Sequence, residues 1–281
     1  MTERSAPNQA QAALWNDLGG RTWVELQDML DLLFQPLEKL LVDAVVAAGG
    51  RRVLDVGCGA GGTTLAVARA LGSGSRCTGV DISAPLVAAA TARAAAKGAA
   101  NVRFIEADAQ TYAFEAGSFD TVMSRMGVMF FDDPEAAFAN LRRAARSGAQ
   151  LAFVAWRSRD ENPFMTAAER SASAVVGDLG RGGDDGPGQF GFASAARVKG
   201  ILEASGWTSV EVRPVDVACS LPLAQLPVYV TRMGPYGRVR GTLDEAARAA
   251  ADAAVLAAFD AFVAGDEVRF TSAFWRVTAV G

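Results

Sequence analysis

The chain has 281 residues, 51% hydrophobic and 21% charged, enough for one large globular domain or one domain with a sizeable insertion; disorder is expected only over the first ten or so positions. A net charge of −4 lacks the basic footprint of a nucleic-acid binder, no apolar run reaches the length of a membrane span, and the N-terminus has no apolar signal core. A cytoplasmic protein with small-molecule partners is expected, without nucleic acid or membrane, and with an oligomeric state that the chain leaves open.

Two amphipathic helices are predicted in the first fifty residues, "WVELQDMLDLLF" and "PLEKLLVDAVVAAGG", separated by Pro36, which breaks or kinks a helix because it lacks an N–H. The second carries Leu37, Leu40, Leu41, Ala44 and Val45 at helical spacing and is expected to pack on a sheet, so residues 1–50 read as a helical cap segment. From Arg51 to Trp156, β-type and α-type patterns alternate, the signature of a parallel sheet with crossover helices. The predicted strands are "RRVLDV", "RCTGVDI", "NVRFIEAD", "SFDTVMSRMGVMFF" and "AQLAFVAW". Between them, "TTLAVARALG" places Leu65, Ala68 and Leu71 on one helical stripe, "APLVAAATARAAAKG" has Ser83 as N-cap, and "DPEAAFANLRRAARSG" starts on Asp133 with Pro134 at the first helical position. Residues 51–156 therefore read as a ligand-binding core, and 157–281 as the rest of the sheet with lid insertions. Within that last part, a helix and a Gly/Asp-rich loop precede "AARVKGILEAS", capped by Ser194, and the long strand "TSVEVRPVDVACSL". Residues 223 to 241 are less regular; a helix with a capping box at Thr242 and Glu245 is expected to run to Gly265, followed by the strand "EVRFTSAFWRVTAV".

The stretch "VLDVGCGAGGTT" satisfies two fingerprints at once: Gly57, Gly59 and Gly62 spell the G-x-G-x-x-G of dinucleotide binders, and Asp55, Gly57, Gly59 and Gly61 spell D-x-G-x-G-x-G. A glycine-rich turn before a helix suits a pyrophosphate or an amino-acid carboxylate equally. Asp55 separates the two, because a buried carboxylate needs donors or a cation and would repel a pyrophosphate, whereas the α-ammonium of a methionine moiety would suit it. Asp81, ending the second strand, stands at the offset where an acid accepts from ribose hydroxyls, with Ile82 next to it, and Asp108 ends the third strand within reach of an adenine amino group. Three acids on three successive strands suit a cationic sulfonium better than an anionic pyrophosphate. S-adenosyl-L-methionine is the expected cofactor, S-adenosyl-L-homocysteine its product, and Gly62 a coincidental match.

"VLDVGCGAGGTT", "GVDIS", "EADAQ", "FDTVMSRMGVMFFDDP" and "LRRAARSGAQLAFVAW" together resemble class I S-adenosylmethionine-dependent methyltransferases, particularly the UbiE-like group of ubiquinone and menaquinone biosynthesis. The resemblance is strong over residues 51–156; a P-G-G turn frequent in that group is replaced here by Ser147, Gly148 and Ala149. It implies an α/β, Rossmann-like, doubly wound and mainly parallel seven-stranded sheet with N-terminal helices and a helical and loop lid insertion. It also implies that Gly57 and Gly59 approach the methionine part, Asp81 binds ribose, and Asp108 with the backbone of Ala109 addresses adenine. Ser124, Arg125 and Met126 would line the sulfonium side. The upstream "WNDLGGRTWVELQ" resembles the segment whose aromatic side chains cover the cofactor, with Trp23 as the expected contact and Trp15 and Gln27 behind it.

The absence of histidine removes the commonest general base and metal ligand, and Cys58, Cys77 and Cys219 fit neither a disulfide framework nor a zinc site, so no metal is expected. Asp132, Glu161, Glu169 and Tyr236 are the candidate bases, and none is singled out as catalytic. Met126, Met129, Phe130, Phe131, Trp156, Phe164, Phe190 and Phe192 read mostly as core; any that face the crevice would select a hydrophobic or aromatic acceptor. Residues 157–192 and 228–240 are expected to form a lid, with Asp184 to Gly188 as its hinge. Two alternatives stay open: an NAD(P)-dependent oxidoreductase, through Gly62 and Asp81, and a non-catalytic cofactor-binding protein. A nucleic-acid amino-methyltransferase is disfavoured, because "SRMG" stands where such enzymes carry N-P-P-Y or D-P-P-Y.

Overall fold

In the computed structural model, which describes residues 7–179 and 186–281, the chain begins with four helices, α1 (Gln9–Asn16), α2 (Leu18–Glu25), α3 (Gln27–Leu33) and α4 (Gln35–Ala48). Pro36 sits in the first turn of α4, where its missing N–H costs nothing. Leu37, Leu41 and Val45, spaced by four, are the buried face of α4. Next come β1 (Arg52–Val56), α5 (Gly62–Leu71), β2 (Arg76–Asp81), α6 (Ala84–Ala96), β3 (Val102–Glu106), β4 (Phe119–Arg125), α7 (Pro134–Ala144) and β5 (Ala145–Trp156). Ser83 caps α6 by accepting from the Leu86 N–H, and Asp133 caps α7 by accepting from Ala136.

The remainder comprises α8 (Pro163–Val176), α9 (Ala195–Ala204), β6 (Thr208–Pro222), α10 (Leu226–Arg232), α11 (Gly234–Val239), α12 (Glu245–Ala257), the short β7 (Val263–Ala264) and β8 (Glu267–Val280). Two expectations are corrected here. Asp244, not Thr242, caps α12, accepting from the Ala247 N–H, while Thr242 donates its hydroxyl to the Val239 carbonyl. Gly265 does not end that helix: with φ +68 it makes the turn between β7 and β8. The irregular 223–241 stretch contains α10 and α11, and of the expected hinge Asp184 and Asp185 lie outside the described residues.

Among the described residues, the strands form one sheet of order β3-β2-β1-β4-β5-β8-β6, with β7 pairing β8 off that path. The pairings from β3 to β5 are parallel, and β8 inserts antiparallel between β5 and β6. The seven-stranded expectation thus holds along the main path. β1 after Arg52 and β4 up to Ser124 are buried throughout, as strands covered by helices on both faces must be. Order reverses between β1 and β4, which makes the carboxyl ends of these strands the natural crevice.

The β6–β8 ribbon is longer than the sheet. β5 stops at Trp156 opposite Phe274, yet β6 and β8 continue pairing to Pro222 and Glu267. At about 3.3 Å per residue, this overhang reaches roughly 20 Å beyond the carboxyl edge. Phe270 on the overhang stacks on Phe164 of α8, with ring centroids 3.5 Å apart and planes within 2°, so the ribbon anchors α8. No described helix is long and apolar enough to cross a membrane.

Candidate active site

A cavity of about 500 Å³ opens over the carboxyl ends of β1, β2 and β4. Its floor is the β1–α5 loop. Gly57 has φ +66, and a side chain there would strike the backbone of Gly127 at 2.6 Å, so this loop and the one after β4 pack backbone to backbone. Gly59 has φ +55 and open space where a Cβ would stand, which leaves its backbone bare to the cavity. Met126 also lines the cavity and holds φ +65, a strained conformation for a non-glycine residue, fixed by its N–H donating to the Val154 carbonyl.

Asp81 braces the floor. One of its carboxylate oxygens accepts from the Gly59 N–H at 2.8 Å and the other from Ser83 N–H at 3.0 Å, and burial pushes its pKa up against those hydrogen bonds. Ile82, Asp108 and Ala109 line the same wall. Asp108 Oδ1 accepts from the backbone of Gln110 and from Asn8 Nδ2, each at 2.9 Å.

Beside the cavity lies an annex of about 50 Å³ that shares Trp23, Gly57, Gly59, Arg125 and Met126 with it. Asp55 lines the annex, 1% exposed; its Oδ2 accepts from the Thr64 hydroxyl at 2.6 Å, while its Oδ1 is buried without a hydrogen-bond partner. Desolvation pushes the Asp55 pKa up to about 7, outweighing Thr64 and the positive field of Arg125. Arg125 approaches Asp31 at 3.7 Å, yet its Nη1 is buried without a partner, as is Oε1 of Gln27. One small space is therefore lined by residues carrying an orphaned carboxylate oxygen, guanidinium N–H and amide oxygen, a donor and acceptor set that matches the ammonium and carboxylate of an amino acid. Ser124 does not face either space: its hydroxyl donates to the Val56 carbonyl and accepts from the Gly127 N–H, so it holds the two loops together rather than lining the cavity.

The first helices roof the site. Trp23 and Trp15 both line the cavity and meet edge to face at 5.8 Å, and Trp15 continues to Phe130 at 5.5 Å. Asn16 donates to the Ile82 carbonyl and accepts from the Ala84 N–H, while the Ser83 hydroxyl donates to the carbonyl of Trp15. Asn8, in the stretch expected to be disordered, is 2% exposed: it bonds Asp108 and Gln110, and its backbone and side chain exchange two hydrogen bonds with Asp132 at 2.6 and 2.7 Å. Local pattern carries no signal for Asn8, because its partners lie 100 or more residues away.

The far wall comes from α8, α10 and α11, within the segments expected to form a lid. All of the aromatic and methionine residues singled out from the sequence except Phe192 line the cavity; Phe192 packs on Phe138 and Phe153 in the core. Of the candidate bases, Glu169 and Tyr236 line the cavity and Asp132 and Glu161 do not, and each has a partner. Asp132 takes Asn8, Glu161 pairs with Arg157 and Ser158, Glu169 pairs with Arg159 at 3.0 Å, and Tyr236 donates to Asp252 at 2.5 Å. Arg159 and Arg238, at the lid end of the cavity, were not anticipated.

Residues 53–148 match the family described as methyltransferase domain. An aklanonic acid methyltransferase from Streptomyces sp. is 35% identical over 121 residues, 43% of this chain and 55% of that protein. A nocamycin O-methyltransferase from Saccharothrix syringae is 36% identical over 118 residues, 42% of each chain. This chain thus spans about half the length of the curated relatives it matches. Among solved structures, the [4+2]-cyclase SpnF aligns with a TM-score of 0.56 at 20% identity, covering 93% of this chain and 94% of that one. The YcgJ protein of Bacillus subtilis aligns equally well, TM-score 0.56 at 18% identity, covering 86% and 97%. These likenesses show the Rossmann-like fold.

Proposed function

We propose that this protein is an S-adenosylmethionine-dependent methyltransferase acting on a small hydrophobic or aromatic metabolite, near the UbiE-like group that its motif order resembles. The observation that carries the proposal is the annex, where Asp55 and Arg125 each keep a buried polar atom without a partner. A pyrophosphate would meet the Asp55 carboxylate, whereas a methionine moiety offers it an ammonium and offers Arg125 a carboxylate. The side chain that Gly62 lacks would meet Asp31 at 2.7 Å, so that glycine has a packing reason independent of any dinucleotide.

In this reading the chain divides into a cap over 1–50, a cofactor-binding core over 51–156 and, over 157–281, the rest of the sheet with its lid. Asp81 receives ribose hydroxyls while keeping its two backbone donors, Asp108 and the backbone of Ala109 face adenine, and Ile82, Trp23 and Met126 pack on the ligand. When bound, the sulfonium supplies an electrophilic methyl group. The protein contributes alignment and dryness: Gly57 and Gly59 let the ligand touch backbone, Trp15 and Trp23 close the roof, and the lid aromatics exclude water. Orientation of this kind can lower a barrier by about 7–11 kcal/mol.

The proposal is tested by incubating the protein with methyl-labelled donor and a panel of phenols, quinols, amines and carboxylic acids. Label in an extractable organic product, lost when Asp81 is replaced by alanine, is the expected result. Tight binding of the donor with no transfer to the panel or to a metabolite extract would instead favour a cofactor-binding protein without methyl-transfer activity.

A further inference from the structure

The lid half of the cavity joins apolar walls to an uneven set of charges. Among the described residues lining the cavity, the groups able to take a proton are Asp81, Asp108, Glu169, Tyr229 and Tyr236. Asp81 and Asp108 are engaged with backbone N–H groups at the nucleoside end. Glu169 is held by Arg159. Tyr236 donates to Asp252 and its phenol is pushed up to about 12, chiefly by burial; Tyr229 rests its hydroxyl on the Met165 sulfur at 3.6 Å and is pushed up by burial as well. The chain contains no histidine. At the lid end the one described carboxylate lining the cavity, Glu169, is paired through Oε2 with an arginine, and burial pushes both phenols up, a setting that favours an acceptor already ionised over a neutral one.

The cations are distributed differently. Arg232 pairs with Glu25, and Arg159 pairs with Glu169 while its guanidinium lies over the Phe190 ring at 4.8 Å. Arg238, exposed on α11 at the cavity's rim, makes no ion pair among the described residues; partial desolvation lowers its pKa against the field of Glu169, which is already held by Arg159. An arginine in this state beside an aromatic chamber is suited to an anion on an apolar body.

We infer that the methyl acceptor is a carboxylate oxygen on an aromatic or otherwise apolar molecule, with Arg238 as the residue that selects its charge. This rests on the methyltransferase reading. The acceptor then needs no base: a carboxylate lone pair forms the new O–CH₃ bond, the C–S bond of the sulfonium breaks, its electron pair returns to sulfur as a thioether, and no proton moves. The product is a methyl ester.

The test uses the full chain saturated with S-adenosylhomocysteine and titrated calorimetrically with 2-naphthoic acid, 2-naphthamide and 2-naphthol, followed by turnover with labelled donor. The acid is expected to bind at least roughly tenfold more tightly than the amide. Arg238→Ala should remove that preference and Arg238→Lys retain most of it, with S-adenosylhomocysteine affinity unchanged in both. Labelled product should release volatile methanol in alkali, as an ester does and an aryl ether does not. Equal or tighter binding of the amide or the naphthol, binding of none of the three, an Arg238→Ala protein that keeps the preference, or an alkali-stable product would overturn the proposal. Failure of the unmodified protein to bind S-adenosylhomocysteine would instead overturn the methyltransferase reading beneath it.

Discussion

Asp55 concentrates the electrostatic character of the site in one side chain. Its ordinary pKa is 3.8 and burial raises it to about 7 in the folded chain. Between those values the folded state holds a proton that the unfolded state has lost, so stability from this group is full below about 3.8, erodes as pH rises, and is gone above about 7. Asp55→Asn should therefore flatten the pH dependence of the melting temperature between about pH 4 and 7. Ligand binding has the opposite sign, since an ammonium favours the ionised carboxylate. Affinity for S-adenosylhomocysteine should rise as pH passes through about 7, with proton release visible as buffer-dependent binding heat. The Asp55→Asn protein should bind more weakly and without that pH dependence; an unmodified protein whose affinity is flat across this range contradicts the role given to Asp55.

At the scale of elements, the roof and the lid are each tied to the sheet by a few long-range contacts. Asn8 closes α1 onto Asp108, Gln110 and Asp132. Asn8→Ala removes its side-chain bonds to Asp108, Gln110 and the Asp132 N–H, partners that are half-buried or exposed, at roughly 0.5–1.5 kcal/mol for each bond lost. A lower melting temperature and faster dissociation of S-adenosylhomocysteine are expected; stopped-flow release as slow as in the unmodified protein would contradict a roof role. Phe164 joins α8 to the ribbon overhang, and Phe164→Ala should cost about 3–5 kcal/mol by denaturant unfolding. The sequence was legible where the physics is local. A short apolar run marked β1, Ser83 and Asp133 announced their helices, and the acids in or just after the first three strands, Asp55, Asp81 and Asp108, pointed to the crevice. It was illegible where a residue's place is set by distant pairing or by no period at all: Asn8 looks like any polar residue in a terminal segment, and Arg238 lies in a stretch with no clear period; Asp244 competed locally with a capping box that Thr242 and Glu245 spelled equally well.

Over the whole molecule, a parallel sheet presents strand ends and an antiparallel ribbon carries aromatic support past them, so the two ends of one cavity are built from opposite halves of the chain. The same overall fold is shared with a [4+2]-cyclase, and fold alone does not determine the reaction. The cofactor reading rests instead on the annex chemistry of Asp55 and Arg125. Titration calorimetry of the unmodified protein with S-adenosylhomocysteine and, separately, with NADH addresses that claim most directly. One-to-one binding of S-adenosylhomocysteine with no heat from NADH is the predicted result; saturable binding of NADH with none of S-adenosylhomocysteine would contradict it.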